Sequence, residues 1–568
     1  FMAYYNAFSD EMREEVLDNF KFRDVIRDLD KNNLLYMVIE RFSNIDLHPH
    51  RISNHEMGYV FEELIRKFNE ANNENPGEHF TPREIIRLMV DLMLVTEEDE
   101  LAKENIIKSI FDPCCGTGGM LTIAKDRILE KNETADIHLF GQELNQKTYA
   151  VTKSDMLMLN PDGVDASRIM QGSSLSGDAF PNEKFHYLIA NPPYGKDWNM
   201  DKKAVTAEHA EGDRGRFAPG LPAIRDGQIL FMLSMLSKMR PVSQGGSRVA
   251  IVMNGSPLFS GDANGGESEI RRYIFENDLL ETLVAVPEQI FYNTGIATYI
   301  WILTNRKADH RKGKVQLINA SGEDFWKPMR KSLGDKRREM DESHIAKVLE
   351  TYHAYEEDSD VSKVYPNSYF GYRKVTVDRP LKLNVQTSAE RMDRLEDEKQ
   401  FTKLDESEQL AYKNMLEALP SKLYKSREEF LGVLATESKS HGLKVAAPLR
   451  KAILNSLGER DANAEVCKDN KGNPEADSSL RDTERVPLDV DIDDYMDVEV
   501  LPHVPDAWVN TSKSGLDKVT GEVGKVGYEI NFNRYFYVYT PPRPLEEIEG
   551  EILQLQKEIN DLMGQLFD

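Results

Sequence analysis

A primary amide, a carbonyl set between two rigid rings and an aromatic face stand side by side at Asn191-Pro192-Pro193-Tyr194. Together they offer two hydrogen-bond acceptors and a stacking platform, a set suited to a flat base that carries an exocyclic amino group. The plain alternative is a turn that ends a strand. A second group lies upstream, at Asp112-Pro113-Cys114-Cys115-Gly116-Thr117-Gly118-Gly119-Met120, with Glu143 following 31 residues after Asp112. Glycines between a strand and a helix let the backbone pass close to a ligand and aim helix N–H groups at it. An acid at the tip of the next strand is the usual partner of ribose hydroxyls in nucleoside-binding α/β folds. A glycine turn kept only for packing is the competing reading.

Groups of this kind need strands that stop where the chemistry begins. The run 185–190 is short, apolar and closed by two prolines, which supply no N–H to a sheet ladder. Further runs at 106–111, 136–141, 167–171, 248–253, 282–286 and 297–303 read as strands. Helical patterns at 121–130, 146–159 and 228–239 lie between them, the second stopped by Pro161. Such alternation predicts an α/β fold, a mostly parallel sheet with helices on both faces. Just before the first strand, Thr81 reads as an N-cap, Pro82 as the first helical residue and Glu84 as the closing member of a capping box. Phe80 and Ile85 are spaced as a hydrophobic staple. The segment 195–226, rich in glycine, proline and charge and carrying Lys202, Lys203, Arg214 and Arg216, is expected to be a lid ordered by substrate.

Four regions follow from this pattern. Residues 1–75 read as a helical N-terminal domain and 76–330 as the domain holding both groups. Residues 331–540 form a charged, mixed α/β extension, with solvated helices at 335–357 and 390–460 and a mobile stretch at 461–482. In 541–568, Leu545, Ile548, Ile552, Leu555, Ile559, Leu562 and Leu566 alternate by 3 and 4, a coiled-coil seam that needs a partner helix from this chain or another.

The formal net charge is −26, from 71 basic and 97 acidic residues. A chain this acidic repels a phosphate backbone, so a DNA substrate demands a local basic patch or a basic partner. Three cysteines make no CxxC pair and twelve histidines no HExxH, so no metal is expected. No run is long enough to span a bilayer and no secretory leader opens the chain, which is read as cytoplasmic. Pro113-Cys114 superficially offers a covalent nucleophile, but inside the glycine loop its role is packing. Gly521-Glu522-Val523-Gly524-Lys525 lacks the length and hydroxyl of a phosphate loop.

With these pieces placed, the chain resembles the modification subunit of type I restriction-modification systems, an N6-adenine DNA methyltransferase. The resemblance rests on Gly58 to Leu64, Phe80 to Glu84, Asp112 to Met120, Asn191 to Tyr194, Asn254-Gly255, Phe291 to Gly295 and the C-terminal helix. The order, cofactor loop before Asn-Pro-Pro-Tyr, is similar to the gamma class of amino-methyltransferases. The resemblance implies a Rossmann-like class I methyltransferase sheet with S-adenosyl-L-methionine over Gly116, Thr117, Gly118 and Gly119. Phe80, Thr81 and Pro82 would line its methionine end, with Asn191 close by; Asp112 would face its amino group and Glu143 would hold its ribose. A target adenine would be flipped out of the duplex. Its amine would be held by Asn191 Oδ1 and the Pro192 carbonyl beside Pro193, with Tyr194 and Phe291 against the base. Ser173 stands where relatives often carry an acid at the third strand's tip, and Asp178 is the next acid along. Implied partners are DNA, a specificity subunit docked through the C-terminal helix and N-terminal domain, and a motor-nuclease subunit. Methylation of a protein glutamine or an RNA base, or a non-catalytic scaffold role, are the other readings.

Overall fold

A computed structural model of the chain describes residues 2–13, 17–19, 21–46, 48, 50–52, 81–160, 162–292, 294–539 and 543–567. Gly58 to Leu64, Phe80, Pro161 and Asn293 lie outside these residues. The apolar runs form one nine-stranded sheet. Its first eight strands are β1 (Ile107–Asp112), β2 (Asp136–Glu143), β3 (Ile169–Gln171), β4 (Tyr187–Ala190), β5 (Arg248–Asn254), β6 (Leu280–Val286), β7 (Thr298–Thr304) and β8 (Lys314–Asn319). After the separate pair β9 (Lys327–Leu333) and β10 (Lys336–Glu339), strand β11 (Ser362–Pro366) returns to the main sheet. The order is β11-β8-β6-β7-β5-β4-β1-β2-β3. From β3 to β5 every pairing is parallel, and β7 runs antiparallel between β5 and β6. The order reverses between β1 and β4, the place where open α/β sheets leave a crevice beyond the carboxyl ends of their strands.

Side chains of the central strands alternate between two cores. Tyr187, Ile189, Ala250 and Val252 point into one, while Leu188, Ala190, Val249, Ile251 and Met253 point into the other. Residues on both faces are buried, which is why these strands read as continuous apolar runs. Helix Gln228–Ser237 covers the second face and helix Arg83–Leu94 the first. Ten of the twelve residues in helix Arg83–Leu94 are buried, because helices Gly119–Lys131 and Glu342–Ala354 pack around it. Arg127 grips Asp91 through two nitrogens at 2.6 and 3.1 Å, and Arg87 meets Glu342 at 2.8 Å.

The C-terminal end of that helix is held by a buried ion pair. Arg248, at the start of β5, donates to the Met93 carbonyl (2.8 Å) and the Leu92 carbonyl (3.3 Å). The same guanidinium pairs with Glu281 at 2.6 Å, and Tyr352 donates to that carboxylate at 3.0 Å. Both members of the pair are fully buried, so each depends on the other for its charge.

Four expectations are corrected. Segment 195–226 is no loop: it holds helix Lys202–His209, and Trp198, Val205 and Phe217 sink into the second core. Arg216 fastens it by donating to the Ser174 and Leu175 carbonyls at 2.7 and 2.9 Å and to Glu208. The boundary at 330 falls inside a hairpin, and helix Glu342–Ala354 and β11 belong to the main sheet. Ile345, Val348 and Tyr352 of that helix are buried rather than solvated. The helices of 390–460 enclose a core of their own around Leu395, Phe401, Met415, Phe430 and Ile453. The stretch 461–482 is also folded: Cys467 is buried, and Arg460 clasps Asp477 through two bonds of 2.6 and 3.0 Å. Its polar composition hides these ladder and ion-pair contacts.

Glu281→Leu leaves Arg248 charged and unpaired in the core. Urea unfolding of this variant is expected to show a loss of about 3–5 kcal/mol, and Arg248→Met added to it is expected to recover much of the loss.

Candidate active site

The carboxyl ends of β1, β2 and β4 bring the sequence-identified groups to one edge. Phe111 pairs with Leu188 and Asp112 with Gly141, so Asp112 stands level with the last turns of its neighbours, and Glu143 and Asn191 lie just beyond. Gly116 and Gly118 have φ of +56° and +81°, a backbone region that suits glycine. A Cβ at Gly118 would also lie 2.9 Å from Thr152 Cγ2. The turn is fastened from outside: Gly116 N–H donates to Glu143 Oε2 at 2.9 Å, and Thr152 Oγ1 donates to the Gly116 carbonyl. Asn145 N–H donates to Glu143 Oε1 at 2.7 Å. Helix Gly119–Lys131 then starts with no side-chain cap and no acid in its first turn. Its amide donors are therefore presented by bare backbone, an arrangement that can take a polar ligand.

Asp112 is 1% exposed, and burial raises its pKa to about 7 despite the hydrogen bond from Cys114 N–H (3.0 Å). The nearby Glu143 charge pushes in the same direction. A buried carboxylate held this way gains from a cationic ligand. Burial, with the Asp112 and Glu143 charges, also drives both Cys114 and Cys115 thiols up, so neither is a thiolate nucleophile.

At Asn191 the amide is oriented from both ends. Nδ2 donates to Thr81 Oγ1 at 2.7 Å, and Oδ1 accepts from the Tyr194 hydroxyl at 2.6 Å. Tyr194 also reaches the Val252 carbonyl of β5 at 3.5 Å. A carbonyl oxygen has two lone pairs, so accepting from tyrosine does not preclude a second donor. Tyr194 is 7% exposed and Phe291 1%, so both rings lie within the protein.

Thr81 corrects the capping expectation. Helix Arg83–Leu94 has Pro82 at its N-cap with no side-chain cap bond, and the threonine hydroxyl serves Asn191 instead. Glu84 pairs with Lys336 rather than closing a capping box. Each polar side chain found a long-range partner that local sequence grammar cannot register. Sequence reasoning also missed Asp201, which accepts from Ser173 Oγ at 2.7 Å and from Ser176 Oγ. An acid is thus carried to the third strand's tip by the segment after Tyr194. Asp178 is committed elsewhere, to Lys238 at 2.7 Å and Arg216 at 3.8 Å.

A sheet of this order with a glycine turn after β1, an acid as the last residue of β2 and Asn-Pro-Pro-Tyr after β4 defines a class I methyltransferase fold. The chain belongs to the N-6 DNA methylase family, whose model matches residues 52–369. It is 28% identical over 353 residues to the type I restriction enzyme MjaIX methylase subunit of Methanocaldococcus jannaschii, covering 62% of this chain and 57% of that one. Identity to the HindI methylase subunit of Haemophilus influenzae is 27% over 303 residues, covering 53% of this chain and 60% of the relative. The matches thus span little more than half the length of these relatives. Among solved structures, the type I restriction-modification methyltransferase subunit from Streptococcus thermophilus aligns with a TM-score of 0.48 at 24% identity, over 60% of this chain and 65% of that one.

Because Asp112 titrates near 7 when folded and near 3.8 when unfolded, the folded protein takes up a proton there. Its contribution is fully present below the unfolded value and is lost as pH rises through about 7. Asp112→Asn removes that loss. Denaturation curves are expected to show the variant more stable than the parent at pH 8, on the order of 3 kcal/mol, with the gap closing toward pH 4.

Proposed function

We propose that this chain is the modification subunit of a type I restriction-modification assembly, transferring a methyl group to N6 of adenine in DNA. The observation that carries the reading is the Asn191 amide, fixed between Thr81 and Tyr194 at the strand edge that also bears Asp112, the glycine turn and Glu143. The donor set fits S-adenosyl-L-methionine: a buried carboxylate for an ammonium, an open glycine turn and an acid at the end of β2 for ribose hydroxyls. Bound there, S-adenosyl-L-methionine supplies an electrophilic methyl on a sulfonium.

In this reading Asp112 takes the amino group, Gly116, Thr117, Gly118 and Gly119 the backbone-facing side, and Glu143 the ribose. Thr81 and Pro82 flank the methionine end, together with Phe80. Asn191 Oδ1 and the Pro192 carbonyl accept from the adenine N6–H groups, and Pro193 keeps that carbonyl fixed. These acceptors would turn the N6 lone pair toward that methyl, so that the N–C bond would form as the S–C bond breaks to leave a neutral thioether, with the surplus N6 proton passing to solvent. No side-chain nucleophile is needed, since alignment supplies most of the rate. Tyr194 and Phe291 serve the base by stacking, after the adenine has left the duplex. Asp201, held by Ser173 and Ser176, supplies the acid that the third strand lacks. The C-terminal helix Leu545–Phe567 serves as the docking element for a specificity subunit that grips DNA, with a motor-nuclease subunit as a further partner. Its seam residues Leu545, Ile552, Leu555 and Ile559 are 56–69% exposed, so nothing among the described residues covers them.

Labelled S-adenosyl-L-methionine, duplex DNA and the assembly reconstituted with a specificity subunit test the reading. Label is expected in N6-methyladenine, and Asn191→Ala is expected to lower kcat by at least about 100-fold. Label appearing in RNA or in a protein glutamine but not in DNA would sink the proposal. Ile552→Asp with Ile559→Asp is expected to abolish co-elution with the specificity subunit on size-exclusion chromatography while leaving the thermal unfolding of the main domain unchanged.

A further inference from the structure

The acidic chain carries one ribbon of the opposite sign. Strands β9 (Lys327–Leu333) and β10 (Lys336–Glu339) form a separate two-stranded antiparallel sheet around Gly334. Between Lys327 and Glu339 stand six basic residues and two acidic ones, within a chain of net charge −26. Three of the six are occupied. Lys327 pairs with Asp341 at 3.0 Å, Lys336 is buried against Glu84, and Arg338 lies over the Trp326 ring, 3.9 Å from its centroid. Arg330, Lys331 and Arg337 are exposed and have no side-chain ion pair among the described residues.

The ribbon is fastened to the catalytic edge. Asp335 N–H donates to the Tyr292 carbonyl and Arg337 N–H to the Gln289 carbonyl, both at 2.8 Å. Lys336 Nζ donates to the Ile290 carbonyl at 3.0 Å while holding Glu84. Glu84 stands three residues after Thr81, which bonds Asn191, and residues 289–292 enclose Phe291. Two anchors thus tie the ribbon to the helix start and to the loop that flank the amide.

We infer that the β9–β10 ribbon is a phosphate clamp for duplex DNA, in which Arg330, Lys331 and Arg337 neutralise backbone phosphates beside the extruded adenine. The inference rests on the proposed function. A narrow antiparallel ribbon with unpaired cations can lie along a phosphate strand, and a chain repelled by DNA elsewhere needs such attraction where the base must be delivered. Phosphate contacts position the duplex without reading its sequence, so the target site is left to other elements.

The test combines Arg330→Gln, Lys331→Gln and Arg337→Gln in the reconstituted assembly and follows methyl transfer to duplex DNA across salt concentrations. The KM for DNA is expected to rise at least about tenfold near physiological salt. The slope of log KM against log salt is expected to fall by roughly 2–3, about 0.9 for each phosphate that is no longer neutralised. Methylated positions, the KM for S-adenosyl-L-methionine and the melting temperature are expected to stay as in the parent. Lys399→Gln, Lys403→Gln and Lys439→Gln, on the separate helical core, are expected to leave the slope unchanged, which separates a local effect from bulk charge. An unchanged slope in the ribbon variant, with the parent active on DNA, overturns the clamp alone. Loss of subunit assembly with an unchanged slope assigns the ribbon to protein docking and overturns it too. A parent that transfers no methyl to DNA overturns the clamp and the proposed function together.

Discussion

A helix buried on nearly every side must have its ends satisfied by the protein, and helix Arg83–Leu94 is the case on which this structure turns. Its last carbonyls receive Arg248, whose charge is balanced by Glu281 within the same core. The preceding turn at its other end places Thr81 against Asn191. One rigid rod therefore connects the centre of the sheet to the Asn191 amide. Shifting the helix along its axis would break the carbonyl bonds of a buried arginine and disturb the orientation of Asn191. The ion pair and the Thr81–Asn191 hydrogen bond thus sit at opposite ends of one helix.

Around that rod the site is built by withholding water. Asp112 is kept from solvent, so its charge is expensive until a cation arrives. The two cysteines in the same turn are silenced by the same burial. Asn191 is neutral and gains its precision from hydrogen bonds at both ends of the amide. The result is a strand edge with a buried carboxylate and an amide of fixed orientation.

The central sheet was legible because buried parallel strands are written as uninterrupted apolar runs between helices with a 3.6-residue period. The residues Asp112, Gly116, Gly118, Glu143 and Asn191 could be picked out because turn chemistry is local. What escaped was everything decided by distant partners. Thr81 followed N-cap grammar perfectly and was claimed by a side chain 110 positions away. Segment 195–226 had the composition of a loop, but Trp198, Val205 and Phe217 were enough to bury it. Stretch 461–482 looked mobile because its isolated bridges are made by backbone, which composition does not record. Asp201 could not be foreseen as the companion of Ser173, since only the fold brings the segment after Tyr194 back to the third strand. The motif at 53–80 lies outside the described residues.

The C-terminal helix, 23 residues long, reaches roughly 34 Å and keeps Leu545, Ile552, Leu555 and Ile559 in water. Identical edges on two copies are matched in length and spacing, so a purified preparation will show its state of dispersion as a function of concentration.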